Sequence, residues 1–247
     1  MKKKTVLKAV DNVTMDIYKG EILSLVGESG SGKTTLGRTI SRLYKKTNGE
    51  ILYNGKPVED YSLKDFTKEI QMIFQDPQAS LNPRMTVGDI VAEGIDIHKL
   101  ASSKQERMEK VYSLLELVGL NREHASRFPH EFSGGQRQRI GIARSVATKP
   151  KLIIADEPVS ALDLSVQAQV LNYMKEIQKQ FGMSYLFISH DLGVIKHMCD
   201  EIFIMYKGRF VEKGLKKDIY GNPQHIYTKR LIAASPEVNP RNRKEKK

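Results

Sequence analysis

The chain has 247 residues, enough for one large domain or two small ones, and its 40% hydrophobic and 28% charged residues exclude wholesale disorder. Its single cysteine, Cys199, excludes an internal disulfide and favours a reducing compartment such as the cytoplasm. No apolar run approaches the roughly 18 to 20 residues of a membrane-spanning helix, so we expect any membrane association to be peripheral.

The first part of the chain has the pattern of an α/β unit. Apolar residues 22–26 predict a buried strand that runs into a glycine-rich turn, and a helix is expected from Thr34 to about Leu43. Residues 50–56, around Asn54-Gly55, predict a hairpin. Residues 70–74 predict a further strand.

Strand patterns disappear between Asp76 and about Ala147. Within this stretch, apolar residues recur at helical spacing from Met108 to Val118, and Gly119 is expected to end that helix. We therefore expect a helical subdomain at about 76–147, inserted into a sheet protein.

Strand patterns return after Pro150. Residues 151–155 and 185–189 predict two buried strands, separated by a helix with its apolar residues on one face, and residues 201–212 predict a closing hairpin. Strands that alternate with helices predict an α/β fold with a parallel sheet. The expected organisation is a single domain at 1–234 and a basic C-terminal tail at 235–247.

Lys and Arg total 40 against 29 Asp and Glu, which gives a formal net charge of +11. Much of the excess lies at the two ends, in residues 2–4 and 241–247, which we interpret as solvated tails, with lipid head groups or RNA as less favoured ligands. Arg137, Arg139 and Arg144 are expected to serve the helical subdomain or its neighbours, with nucleic-acid contact as the less favoured alternative. No nucleic-acid partner is therefore expected.

The sharpest motif follows the first predicted strand and reads Gly27-Glu28-Ser29-Gly30-Ser31-Gly32-Lys33-Thr34. Glycines let backbone N–H groups close on phosphate oxygens, and the start of the next helix adds partial positive charge. Lys33 can reach the β- and γ-phosphates, and the Thr34 hydroxyl can bind Mg²⁺. A turn that only caps a helix is the disfavoured alternative.

A nucleotide site also needs an acidic residue for its metal. Asp156 lies at the end of a predicted buried strand, where ligand sites of α/β proteins gather, and Glu157 follows it directly. Adjacent carboxylates allow Asp156 to hold Mg²⁺ through water while Glu157 polarises the attacking water as a general base. An exposed acidic strand end is the structural alternative.

A second glycine-rich helix start reads Ser133-Gly134-Gly135-Gln136, before a helix predicted at 137–147. A hydroxyl and two glycines at a helix start suit phosphate binding, although such a run is equally common in loops. Two helix starts of this kind suggest that each serves a different copy of the nucleotide.

In this order, the motifs resemble those of the ATP-binding subunits of ABC transporters. The matching motifs are the Walker A loop at Gly27 to Thr35, the Q-loop at Gln75, the signature at Ser133 to Gln136, Walker B at Asp156 with the catalytic Glu157, the D-loop at Asp163 and the H-loop at His190. The resemblance implies a P-loop α/β core, an antiparallel β part and an inserted helical subdomain.

The resemblance also implies a mechanism in which two such domains close head to tail around two MgATP. Ser133 and Gly135 would then bind the partner's γ-phosphate, and Gln75, with Thr34 and Asp156, would contact Mg²⁺. His190 would hold the γ-phosphate. The implied partners are a homologous, non-identical ATP-binding subunit, two membrane permease subunits at the cytoplasmic face of the membrane and, indirectly, an external solute-binding protein.

Four longer sequence segments resemble the oligopeptide, dipeptide and nickel importer branch of the family. They are most similar to the second of its paired ATP-binding subunits. The segments lie at 76–83, 128–135, 165–169 and 222–229. Peptide import is the first expectation and import of nickel or another metal chelate the alternative. An exporter ATPase, or a soluble ABC ATPase of DNA repair or translation, is disfavoured.

Two differences from the family pattern carry expectations. Family members usually have Pro in the segment 222–229 where this chain has Ile226. We expect this difference to affect the C-terminal extension rather than the ATP site. Family members usually place an adenine-stacking aromatic upstream of the first strands, where this chain has only Met1 to Ala9, and Tyr18 lies in the wrong part of the pattern. Stacking contributes about 1–3 kcal/mol, so weaker ATP binding is expected.

Overall fold

A six-stranded sheet forms the centre of the protein in the computed structural model, which describes residues 7–235. The basic ends at 2–4 and 241–247, and nearly all of the tail expected at 235–247, lie outside the described residues. The strands are β1 (Ile22–Val26), β2 (Leu52–Tyr53), β3 (Lys56–Pro57), β4 (Ile70–Ile73), β5 (Leu152–Asp156), β6 (Ser184–Ser189), β7 (Glu201–Tyr206) and β8 (Arg209–Leu215).

The main sheet has the order β4-β5-β6-β1-β7-β8. The first five of these strands are mutually parallel, and β8 pairs antiparallel with β7 at the edge. The short strands β2 and β3 form a separate antiparallel hairpin. The predicted parallel sheet and the predicted antiparallel part are therefore both confirmed, although the early hairpin is shorter than the pattern at 50–56 indicates.

β1 lies in the middle of the sheet, between β6 and β7. Leu23 and Leu25 are fully buried in a core shared with Leu36, whereas Val26 is buried in the larger core on the helical side. A strand covered on both faces is apolar at successive positions rather than at alternate ones, which explains the continuous run at 22–26.

Within residues 7–235, ten α-helices surround the sheet, and three short 3₁₀ segments lie at 58–60, 122–126 and 129–131. No helix among residues 7–235 is long and apolar enough to cross a membrane. The helices are α1 (Lys33–Ile40), α2 (Leu63–Glu69), α3 (Pro77–Ser80), α4 (Val87–Ile97), α5 (Lys104–Leu117), α6 (Gly134–Val146), α7 (Leu164–Phe181), α8 (Leu192–Lys196), α9 (Lys216–Gly221) and α10 (Ile226–Ala234).

The stretch from α3 to α6 contains no strand, as the sequence predicts. α5 ends where Gly119 takes the left-handed conformation, with φ +68°. The Gly119 N–H then bonds the Glu116 carbonyl at 2.9 Å, and the Leu120 N–H bonds the Leu115 carbonyl at 2.8 Å. Leu115 and Leu120 are both buried, so this C-cap ties the helix end to the core.

The three arginines of α6 donate hydrogen bonds to backbone carbonyls within the helical stretch. Arg137 bonds Phe132, Arg139 bonds Gly119, and Arg144 reaches Ser80 in α3 at 2.6 Å. The expectation that these side chains serve the helical part is therefore confirmed.

Two helix boundaries differ from the sequence predictions. α1 ends at Ile40 rather than about Leu43, because Arg42 adopts a left-handed φ of +62° that stops the helix. α6 begins at Gly134 rather than at 137, because the Ser133 hydroxyl accepts the Gln136 N–H and allows the helix to include both glycines.

Gly37 allows α1 to approach the sheet closely. A Cβ atom at this position would lie 2.8 Å from the Cδ1 atom of Ile188 and 3.1 Å from the Cγ2 atom of Ile154. We expect Gly37→Ala to lower the free energy of unfolding by roughly 1–2 kcal/mol, because added volume in a close-packed contact outweighs the gain in helix propensity. Urea unfolding followed by circular dichroism measures the change.

Gly141→Ala in α6 is the matched control, since a Cβ atom there has no neighbour within 4 Å. This variant should stabilise the protein by about 0.5–1 kcal/mol through helix propensity alone. An equal stabilisation by both variants would contradict the close approach at Gly37.

Candidate active site

The expected site residues meet at the carboxyl edge of the parallel sheet. Gly27 follows β1, Gln75 follows β4 after one intervening residue, Asp156 is the last residue of β5 and His190 follows β6. The strand registers align these ends, because Val26 pairs with Ser189, Ile73 with Ala155 and Asp156 with Ile188. Loops that leave aligned parallel strands converge at one crevice, which is where α/β proteins bind ligands.

The glycine-rich loop is built around close backbone contacts. A Cβ atom on Gly27 would lie 2.2 Å from the Met205 carbonyl oxygen, and one on Gly32 would lie 2.1 Å from the Ala9 carbonyl oxygen. Gly32 also has a φ of +108°, which side chains rarely allow. The loop therefore requires glycine at both positions, while residues 28–30 between them are exposed to solvent and accessible to a ligand.

The Lys33 ammonium group lies inside this loop. Its Nζ atom donates to the carbonyl oxygens of Gly27 at 2.7 Å and Glu28 at 3.0 Å, and the residue is only 4% exposed. Burial lowers the pKa of Lys33, and the carboxylates of Glu157, Asp156 and Glu28 oppose that shift. A buried cation whose hydrogen-bond partners are carbonyl oxygens is well suited to receive phosphate oxygens.

Thr34 and Asp156 form the acidic side of the site. The Thr34 hydroxyl donates to Asp156 Oδ1 at 2.9 Å, whereas the buried Oδ2 atom has no hydrogen-bond partner among residues 7–235. Burial is the main cause of the raised pKa of Asp156. A carboxylate oxygen without a partner beside a hydroxyl group is the hard oxygen ligand set that Mg²⁺ prefers, so the residues present fit this ion.

The Glu157 carboxylate joins two further loops. Its Oε2 atom accepts a hydrogen bond from Gln75 Nε2 at 2.9 Å and lies 3.1 Å from His190 Nδ1, within ion-pair distance. The Glu157 backbone has an unusual φ of +47°, and its N–H donates to the Ile188 carbonyl at 3.0 Å. Left-handed backbone at a residue other than glycine is strained and is typical of functional sites.

The second glycine-rich helix start lies apart from this cluster. Ser133 is exposed at the start of α6 and forms a reciprocal cap with Gln136. Within residues 7–235, no hydrogen bond joins this segment to the loop at 27–34. The structure therefore brings together Gln75, Asp156, Glu157 and His190 around the loop, but not the segment at 133–136.

The helix start at 133–136 packs instead against the beginning of α7. A Cβ atom on Gly135 would lie 2.3 Å from the Cγ1 atom of Val166, so glycine is needed for this contact. Asp163 caps α7 by accepting the Val166 N–H at 3.0 Å, and the Ser165 hydroxyl is the main cause of its lowered pKa. Asp163 is thus committed to a structural cap, beside an exposed surface.

One contact with the glycine-rich loop was missed by the sequence analysis. The Glu28 N–H donates to the Tyr227 hydroxyl oxygen at 2.9 Å, and Tyr227 belongs to α10. The helix that begins at Ile226 therefore touches the loop through Tyr227, whereas Ile226 itself is 61% exposed, so the expectation for that position stays a prediction. The segment 222–229, which contains Tyr227, was noticed in the sequence. Its contact with Glu28 was not predicted, because the two residues are far apart along the chain.

Tyr18 does not lie near the loop at 27–34. It is 69% exposed in the turn before β1, whereas the loop follows the other end of that strand, roughly 16 Å away for five residues. Its position agrees with the expectation that Tyr18 does not stack on a bound base.

Residues 10–160 match the family described as ABC transporter. The chain belongs to this family. As an ABC ATPase it binds nucleotide and hydrolyses ATP.

It is 60% identical to the oligopeptide transport ATP-binding protein OppF of Bacillus subtilis strain 168, over 95% of this chain and 78% of the relative. It is 55% identical to the dipeptide transport ATP-binding protein DppF of Lactococcus lactis subsp. cremoris MG1363, over 96% and 78%.

Solved structures confirm the predicted fold class. This ABC ATPase resembles the dimeric post-hydrolysis state of the ATP-binding cassette MJ0796 bound to ADP and Pi, with a TM-score of 0.78 and 29% identity over 87% of this chain and 94% of the other. It also resembles CbiO1 from Clostridium perfringens, part of the CbiONQ transporter complex, with a TM-score of 0.77 and 28% identity over 87% and 84%.

Proposed function

We propose that this ABC ATPase energises the import of oligopeptides or dipeptides, with its catalytic centre at the carboxyl edge of the sheet. The observation that carries the proposal is the position of Glu157, whose carboxylate is held by Gln75 and His190 beside Lys33. Relatives that are 60% and 55% identical are named for oligopeptide and dipeptide transport, which supports peptides as the cargo.

In this proposal, residues from Gly27 to Thr35 hold the nucleotide phosphates. The exposed backbone at 28–30 supplies N–H groups, and Lys33 exchanges its carbonyl partners for phosphate oxygens. Thr34, Asp156 and Gln75 would hold Mg²⁺, which neutralises phosphate charge when bound. The partnerless Oδ2 atom of Asp156 supports this assignment.

Glu157 is placed to orient a water molecule for attack on the γ-phosphate and to accept its proton. Gln75 and His190 approach this carboxylate from two different loops, so they fix its direction relative to the phosphates. The His190 side chain is 52% exposed and can therefore reach a bound phosphate as well. Positioning and charge stabilisation account for most of the catalysis of phosphoryl transfer.

Glu157→Gln tests the assignment of the base. Because the amide cannot accept the proton, we expect ATP turnover by the assembled transporter to fall by about 10²- to 10⁴-fold, while the affinity for MgATP stays within roughly twofold. Steady-state phosphate release and equilibrium nucleotide binding measure the two quantities. Glu176→Gln, on the exposed face of α7, is the matched control, and normal turnover by the Glu157 variant would contradict the assignment.

We further propose that the signature segment completes the ATP site of a second, homologous subunit. Ser133 and Gly134 are exposed at the N-terminus of a 13-residue helix, where backbone N–H groups and the helix dipole favour a phosphate. Within residues 7–235 this segment forms no hydrogen bond to the chain's own glycine-rich loop. A nucleotide sandwiched between two chains uses both phosphate-binding segments at once.

Ser133→Asp tests this shared site. Aspartate preserves the helix cap, so the fold is maintained, but it places a negative charge against the partner's γ-phosphate. We expect ATP hydrolysis by the assembled pair to fall at least roughly tenfold, whereas Ser133→Asn, which is neutral and also caps the helix, retains more activity. Equal activities of the two variants in a phosphate-release assay would contradict the shared site.

We propose that the membrane permease subunits dock at a groove in the helical stretch after the Q-loop, lined by residues between Arg84 and Phe128, on the cytoplasmic face of the membrane. The groove has a volume of about 490 Å³ and an amphipathic lining. Ile97 and Phe128 expose apolar surface there, and the Arg107 guanidinium bridges Asp89 and Asp96 at 2.8–3.1 Å. The lining begins at Arg84, in the segment that follows Gln75 along the chain, so docking there would act close in sequence to the Q-loop.

Ile97→Asp tests the docking groove. Ile97 is 53% exposed, so the change should leave the chain folded but place a charge in an apolar contact. We expect the variant to lose co-purification with the permease subunits while it still binds ATP. Leu63→Asp is the control, because Leu63 is 62% exposed outside the groove. Equal co-purification of both variants would place docking elsewhere.

A further inference from the structure

The C-terminal helix α10 reaches the glycine-rich loop through one hydroxyl group. Tyr227 is 7% exposed, and its oxygen accepts the Glu28 N–H at 2.9 Å. Its ring packs on Tyr206, at the end of β7, with ring centroids 4.3 Å apart. The aromatic contact fixes the ring, so the hydroxyl is held at one place beside the loop.

The start of α10 is itself fixed to the sheet. The Glu212 carboxylate, on β8, accepts the backbone N–H groups of Gln224 at 2.8 Å and His225 at 2.9 Å. The His225 ring then accepts the Tyr227 N–H at 3.1 Å and caps the helix. A chain of hydrogen bonds therefore runs from β8 through the cap to the backbone of Tyr227.

Tyr227 and Lys33 hold the two ends of the same peptide group. The peptide that links Gly27 to Glu28 donates its N–H to Tyr227 and accepts Lys33 Nζ at its carbonyl oxygen, at 2.7 Å. Because a peptide group is planar, a rotation that breaks one bond also moves the other. The orientation of this peptide therefore links the hydroxyl of α10 to the position of the Lys33 ammonium group.

We propose that Tyr227 is a positioning residue for ATP binding, which fixes the Gly27–Glu28 peptide and thereby preorganises Lys33 and the phosphate loop. The proposal rests on the phosphate-binding role assigned to that loop above. Its physical basis is that a loop already held in its binding conformation loses less conformational entropy when ligand binds. α10 is in this view part of the nucleotide site, although it does not contact the phosphates.

Tyr227→Phe in the full chain tests the proposal, because it removes the hydroxyl and keeps the ring that packs on Tyr206. Loss of one hydrogen bond of ordinary strength predicts that the dissociation constant for MgATP rises about fivefold in titration calorimetry. In the assembled transporter, KM for ATP should rise by a similar factor while kcat changes by less than roughly twofold. A purely structural role does not predict this split.

Tyr61→Phe is the matched control. The Tyr61 hydroxyl also bonds the backbone, at the Tyr53 carbonyl oxygen at 2.9 Å, but it lies in the β2–β3 hairpin region. Urea unfolding of both variants compares their stability. If Tyr227→Phe and Tyr61→Phe give the same MgATP affinity, or if Tyr227→Phe lowers kcat without raising KM, the proposal is overturned.

Lys33→Ala separates this proposal from the function assigned to the loop. If Lys33→Ala leaves MgATP affinity unchanged, the phosphate-binding role of the loop is wrong and the proposal fails with it. If Lys33→Ala abolishes binding and Tyr227→Phe raises the dissociation constant, both stand. If Lys33→Ala abolishes binding but Tyr227→Phe matches Tyr61→Phe, only the role of Tyr227 is overturned.

Discussion

Four parallel strands end in register at one edge of the sheet, and the chemistry of the protein depends on this alignment. Gly27, Gln75, Asp156 and His190 are far apart in the sequence but follow neighbouring strand ends. Backbone hydrogen bonds between buried strands fix the relative height of these ends, so short loops are sufficient to place each side chain. A shift of one strand would remove its residue from the cluster and reverse its buried face.

In the absence of ligand, the residues of this site destabilise the folded protein. Asp156 and Lys33 are buried, and burial disfavours the charged form of each, as their shifted pKa values indicate. Glu157 adds a further energetic cost, because its backbone adopts a left-handed conformation. These costs are confined to groups that would meet phosphate and metal, and binding of an anion and a cation would relieve them. The protein therefore loses some free energy of folding at these residues, and in return the binding site is preorganised before its ligand binds.

The parts of this fold that were predictable are those with a local physical cause. Continuous apolar runs at 22–26 and 151–155 indicated doubly covered strands, and Gly119 indicated a left-handed helix end. The early start of α6 was missed because the two glycines were placed before the helix, although the Ser133 cap extends the helix across them. Tyr227 was missed because its contact with Glu28 joins residues 199 positions apart, which no local pattern reports.

The placement of β1 at the centre of the sheet has a consequence for biosynthesis. The glycine-rich loop is translated before its partners, because β1 pairs with β6 and β7, the Gly208 N–H donates to the Ser31 carbonyl, and Tyr227 accepts the Glu28 N–H. Such long-range pairings are slow to form and leave apolar segments exposed on a nascent polypeptide. The loop therefore reaches its final supported form only after the ribosome has delivered α10, so a nascent chain that ends before this helix does not present a finished nucleotide pocket.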